Sequence, residues 1–164
     1  PGTFQIKAGL EALKKIYERA DVFFCNKEES QRILKTGEQE MKTLLSKMRE
    51  AGPKIVVITD GTKGAYAFDG STAFFMPPYP DPKPPYERTG AGDAFSSAFT
   101  VALALGMDVP SALRWAPINS MSVVQYVGAR EGLLTREKLE EYLANAPEDY
   151  KPYVIKDITM EKKV

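Results

Sequence analysis

"PPYERTGAGDAFSSAF", residues 84–99, sets two glycines, an aspartate and an apolar run of helical spacing directly behind a proline-rich stretch. Gly90, Ala91 and Gly92 leave the loop free of bulk, so a charged group can approach the backbone closely. A helix opening near Asp93 offers bare N–H donors and the positive end of its dipole, the arrangement that holds anions. Asp93 is the oddity at that mouth. It reads either as a helix cap or as a base that accepts a proton from a hydroxyl attacking a bound phosphate. The G-x-G spacing alone is weak, and the Walker A pattern G-x-x-x-x-G-K-[ST] occurs nowhere in the chain.

Upstream, "PPYPDPKPPY" (77–86) carries six prolines and reads as an extended connection, since proline is excluded from central strands. Before it, "KIVVIT" (54–59) is a continuous apolar run, as a strand covered on both faces would be. "DGTKG" then turns the chain, and "AYAFDGSTAFFM" forms a hairpin about Asp69-Gly70. The turn "TDGTKG" (59–64) leaves the C-terminal end of that strand, where ligands of open α/β sheets gather. Thr59, Gly61 and Gly64 suit a tight turn around a nucleotide, and equally a plain strand-to-hairpin turn.

Nearer the start, "QIKAGLEALKKIYERA" (5–20) places Leu10, Leu13, Ile16, Tyr17 and Ala20 on one helical face. "DVFFC" (21–25) is a short buried strand, "KEESQRIL" a helix stopped by Gly37, and a third helix covers about 38–51. "NKEE" (26–29) spaces Asn26 and Glu29 three apart on one helical turn, and their hard oxygens suit Mg²⁺ or its bound waters. A plain helix start with acidic residues favouring the dipole reads the same way. Downstream, Phe95, Ala98, Phe99, Ala102 and Leu103 form a stripe ended by Gly106. A helical region from Asp108 to about residue 129 is expected to kink or break at Pro117, and a short helix at about 136–145 precedes a charged tail. Strands alternating with helices indicate a layered α/β domain with a mainly parallel sheet.

At 164 residues the chain is one domain's worth, enough to bury roughly 68–70% of its unfolded surface. Its 22 basic and 22 acidic residues balance, so no net field favours nucleic acid or an anionic membrane. Histidine is absent, which removes Ser-His-Asp and Cys-His catalysis and leaves carboxylates to carry acid–base work. The one cysteine, Cys25, excludes an internal disulfide and fits a reducing compartment, the cytoplasm; as part of "DVFFC" it reads as a buried strand thiol. No apolar run approaches the length of a membrane span, and no signal peptide is visible. The chain opens on Pro1, which reads as a cut rather than a start.

Together these stretches resemble the ribokinase-like, PfkB-type carbohydrate kinases, whose D-T-x-G-A-G-D fingerprint is matched by "ERTGAGDAF". "NKEE" resembles the family's N-x-x-E, and "VVITDGTKGA" its nucleotide-binding strand and turn. "PGTFQIK", "RWAPINS" and "VGAREGLL" also sit where family members have comparable segments. The resemblance implies an α/β/α ribokinase-like (Rossmann-like) fold and ATP-dependent phosphorylation of an alcohol group on a sugar or sugar-like substrate. It makes Asp93 the catalytic base and the amides of Gly90, Ala91, Gly92 and Asp93 the anion hole. Asn26 and Glu29 would position Mg²⁺ through water, Thr59, Gly61 and Gly64 would line the nucleotide, and Asn119 falls near the adenine pocket. A polar helix-face position explains Asn119 equally well. A monovalent cation, K⁺ in the family, would lie beside the anion hole, with Glu87 and the Thr89 carbonyl at its ligand positions; Glu87 stands where the family has Asp.

Family members are roughly twice this long, and their first half carries the acceptor pocket and a lid. The resemblance therefore makes residues 1–164 the C-terminal, nucleotide-binding portion of such an enzyme, with the first half and lid absent. Exposed apolar surface or an oligomeric contact is expected where that half would meet it. The rival readings are a non-catalytic nucleotide- or phosphate-binding module working with a partner, and a nucleoside or vitamin-precursor kinase. A nicotinamide oxidoreductase is disfavoured, because its G-x-G-x-x-G and following acid are missing.

Overall fold

The computed structural model describes residues 2–156 and 158. Pro1, residue 157 and residues 159–164 lie outside them, so the reading of Pro1 and most of the charged tail falls beyond the described chain. Contacts divide the chain into two compact units. The first holds the residues up to Gly61, Ala65–Phe75 and the segment from Tyr153; the second holds Thr62–Gly64 and Met76–Pro152.

The first unit is built on a five-stranded sheet in the order β1 (Val22–Asn26), β2 (Ile55–Thr59), β3 (Ala65–Phe68), β4 (Ala73–Met76), β5 (Tyr153–Ile155). Among the described residues only β1 and β2 run parallel, in register from Val22 opposite Ile55 to Asn26 opposite Thr59. The pairs β2–β3 and β4–β5 are antiparallel. The four-residue link between the neighbours β3 and β4 makes that pair antiparallel too, because a parallel crossover takes a dozen residues or more. The sheet is therefore mixed, where the sequence suggested a mainly parallel one. Parallel sense survives where helices α2 (Lys27–Leu34) and α3 (Met41–Glu50) form the crossover.

Tyr17, Cys25, Ile33, Leu44, Leu45, Met48, Val56, Ile58 and Phe68 pack into one core, joining α1 (Thr3–Tyr17), α2 and α3 to one sheet face. Each such large side chain contributes about 1.5–3 kcal/mol by leaving water. Val57 and Ala67, which point to the other face, are fully buried as well, matching the reading of 54–59 as a doubly covered strand. Ile16, expected on the core face of α1, is exposed, and the helix is interrupted at Gly9 (φ 77°). Helix α2 ends earlier than Gly37: Lys35 takes the left-handed conformation (φ 51°), and its amide and that of Thr36 satisfy the carbonyls of Arg32 and Gln31. Burial pushes the Cys25 thiol up to about 12, so it stays protonated and is no nucleophile at neutral pH.

The second unit centres on α4 (Ala91–Ala104) packed along α5 (Val109–Val123), with α6 (Arg136–Ala144) beside α5. Ala94, Phe95, Ala98, Phe99 and Ala102 form the buried stripe of α4, close to the one read from spacing. Val101 and Leu105 remain about half exposed. Pro117 does not break α5, which runs on through it with Leu113, Ala116, Pro117 and Ile118 all buried. The proline-rich connection is anchored to this unit. The Tyr79 hydroxyl donates to the Tyr142 carbonyl (2.9 Å), and its ring meets Tyr142 and Tyr150 edge-on. Gln125 Nε2 donates to the Lys83 carbonyl (3.3 Å), and the Tyr86 amide to that of Val124 (2.8 Å).

Candidate active site

The start of α4 is shaped by Gly90. It adopts φ 81°, ψ −7°, and a Cβ placed there would lie 2.8 Å from Ala129 Cα and 3.0 Å from the Ala129 carbonyl oxygen. Only glycine satisfies both the left-handed turn and that backbone-to-backbone approach. The Ala94 amide donates to the Gly90 carbonyl (2.8 Å), which opens the helical ladder. The Ala91 amide turns back to the Arg88 carbonyl (3.3 Å). Thus Ala91, expected to join the anion hole, is engaged by its own tight turn. Among the described residues the amides of Gly90, Gly92 and Asp93 have no protein acceptor, and no side chain caps the helix. Three orphan donors therefore lie at the positive end of the helix dipole.

Asp93 lies in the first turn of α4 and is exposed. Its carbonyl accepts from the Ser96 hydroxyl (3.1 Å), while its carboxylate caps nothing. Of the two readings open in the sequence, the capping one is not what this helix uses. A carboxylate held beside bare amides by the rigid first turn of a helix is placed to accept a proton next to a bound anion.

In the first unit the candidate residues gather at the C-terminal ends of the parallel pair. Asn26 closes β1 directly opposite Thr59, the last residue of β2. Asn26 Oδ1 accepts the Glu29 amide and Glu29 Oε2 accepts the Asn26 amide, both at 2.8 Å, a reciprocal capping box that starts α2. Beyond Thr59 the chain turns at Gly61, which is exposed; Gly64, which is buried, belongs to the second unit. This edge presents carboxylate, amide and hydroxyl oxygens on short elements. It is the sheet edge at which α/β folds bind nucleotides.

A model of the pfkB family carbohydrate kinases matches residues 5–136. The chain belongs to the pfkB family. Ribokinase of Bacillus subtilis (strain 168) is 42% identical over 93 residues, which are 56% of this chain and 31% of that protein. Among solved structures, a nucleoside kinase of Methanocaldococcus jannaschii, an archaeal member of the ribokinase family, superposes with TM-score 0.76 at 26% identity, covering 88% of this chain and 46% of its own. Arabidopsis thaliana ribokinase complexed with ribose and ATP gives TM-score 0.73 at 26% identity, covering 79% and 43%. The fold is ribokinase-like, and the chain spans less than half the length of each of these relatives.

Of the remaining expected residues of this pfkB chain, Glu87 and Asn119 have definite partners. Glu87 is half-buried, and its Oε1 accepts the Gly128 amide at 2.7 Å. Thr89 is exposed. Asn119 is buried and held at both ends: Nδ2 donates to the Ala94 carbonyl (2.9 Å), and Oδ1 accepts the Leu134 amide (3.0 Å). It clasps α4 to the segment before α6, which accounts for a polar residue on the buried face of α5. Gly128 and Ala129 were given no role from the sequence. Their signal was the glycine of "VGAREG", but the link back to Glu87 spans 41 residues and is invisible to local pattern.

Proposed function

We propose that the chain is the nucleotide-side, C-terminal portion of an ATP-dependent phosphotransferase that acts on an alcohol group of a sugar-type acceptor. The observation that carries the reading is the uncapped start of α4, where three bare amides and an outward carboxylate stand together. Phosphoryl transfer asks the protein for positioning and charge stabilisation rather than covalent chemistry. The amides of Gly90, Gly92 and Asp93 would hold the oxygens of the migrating phosphoryl group, and Asp93 would accept the acceptor hydroxyl's proton. Thr59, Gly61 and Gly64 would line the nucleotide.

Asn26 and Glu29 suit Mg²⁺ held through water, because this ion keeps several waters and needs only one or two carboxylates. Accordingly, among the described residues no group of three His, Cys, Asp or Glu side chains forms a full metal cage. Mg²⁺ bound with the triphosphate would neutralise charge developing on its oxygens. For a monovalent cation, Glu87 and the Thr89 carbonyl would be the ligands, and Glu87 Oε1 already accepts the Gly128 amide.

The relatives span ribose and nucleoside acceptors, so either class fits this half. Its coverage of less than half of each relative favours a second reading, a nucleotide-binding module that works only with a partner. The test is ADP release over a panel of sugars and nucleosides with ATP and Mg²⁺, using this chain co-expressed with the acceptor-side portion that its relatives carry. ADP released with one acceptor class supports the kinase. ATP bound without ADP supports the module, and no ATP binding overturns both.

A further inference from the structure

We propose that Glu87 is a positioning residue for the anion loop, acting by its reach to Gly128 rather than as a cation ligand. The inference rests on the reading of the α4 start as a phosphate site. Four ties join the segment 83–90 to the segment 124–129. Gly128 donates its amide to Glu87 Oε1 (2.7 Å), and Gln125 Nε2 donates to the Lys83 carbonyl (3.3 Å). The amides of Tyr86 and Glu87 share the Val124 carbonyl at 2.8 and 3.4 Å. The backbones then close on each other at Gly90 and Ala129, with no room for a Cβ.

Glu87 supplies the only side-chain acceptor in this set of ties, so the length of its side chain sets where Gly128 is held. Gly128 sits at φ 97°, a conformation that other residues rarely adopt. The bond therefore fixes the wall against which Gly90 is folded, and with it the direction in which the bare amides point. Glutamate spans this gap with one more methylene than aspartate has.

Length and charge can be separated. Glu87→Gln keeps the length and an acceptor oxygen; Glu87→Asp keeps the charge and loses the reach. The experiment records amide NMR spectra of the whole 164-residue chain for the wild type, Glu87→Gln, Glu87→Asp and Glu87→Ala, each titrated with inorganic phosphate in NaCl and in KCl. Wild type and Glu87→Gln are expected to keep the Gly128 amide downfield and slow to exchange. Phosphate should shift the Gly90, Gly92 and Asp93 amides in both, with no preference for potassium.

Glu87→Asp and Glu87→Ala should release Gly128 and weaken phosphate binding about tenfold. The inference is overturned if Glu87→Asp matches wild type while Glu87→Gln fails, or if Gly128 is unmoved in Glu87→Ala. Should the wild type show no response to phosphate, the kinase reading fails. The Gly128 signals across the series still decide whether the clasp exists.

Discussion

Helices α2 and α4 both begin with a polar motif after an extended segment, yet they finish that beginning in opposite ways. At α2, Asn26 and Glu29 exchange hydrogen bonds with each other's amides and the helix start is closed on itself. At α4 a left-handed glycine stands at the cap, Asp93 is exposed, and three amides have no protein acceptor among the described residues. Absence of a side-chain cap is not the distinguishing mark, since α1 and α3 lack one too. What sets α4 apart is the pairing of bare donors with an unused carboxylate, on a turn that only glycine permits. The capped start contributes to stability, and the uncapped start forgoes that contribution.

The largest expected effect separates the two starts most clearly. Asp93→Asn in the assembled enzyme should lower kcat by about 10²–10⁴. Chemical denaturation should find its stability within about 0.5 kcal/mol of wild type, because the carboxylate caps nothing. Near-normal turnover in that variant would remove Asp93 as the base. Gly90→Ala is next: the left-handed turn and the 2.8 Å approach to Ala129 should cost about 1–3 kcal/mol and abolish phosphate perturbation of the loop. A urea midpoint equal to that of wild type would contradict the close packing.

Asn26→Ala should do the reverse of Asp93→Asn. Loss of the capping box should cost about 1 kcal/mol, read as a lower denaturant midpoint, even with no nucleotide present. The smallest effect belongs to a third start, α5, where Asp108 accepts the Ser111 amide at 2.9 Å. Bonds from the Ser111 side chain and amide hold the Asp108 carboxyl below its ordinary 3.8. A depressed value means that the cap's support is complete above about 3.8 and fades as pH falls through the lowered value. Asp108→Asn keeps the cap and removes the titration. The stability curve below that pH should flatten slightly, with its neutral plateau unchanged.

The parts of this molecule that local chemistry writes were readable in the sequence. Asn26 before an acidic turn, the apolar run 54–59 and the stripe of α4 each match the structure within a few residues. The strand Tyr153–Ile155 was hidden in a charged tail, because three residues become a strand only by pairing with β4. The hairpin about Asp69-Gly70 was legible from its turn, whereas the antiparallel pairings of β3 with β2 and of β5 with β4 depend on connections and tertiary contact, which composition does not carry. A kink or break was expected at Pro117, yet α5 continues through it with Pro117 buried. At the site, the residue types and order were legible, whereas the Ala91–Arg88 bond, the double anchorage of Asn119 and the reach of Glu87 to Gly128 arise from tertiary contact.

Cys25 is the chain's only sulfhydryl, and its place in the core of the first unit keeps it unreactive. A reporter cysteine introduced at exposed Arg130 would thus meet maleimide dyes or nitroxide tags without competition. Spectroscopic tracking of the 126–132 segment can begin from the natural sequence, with no native sulfur to replace first.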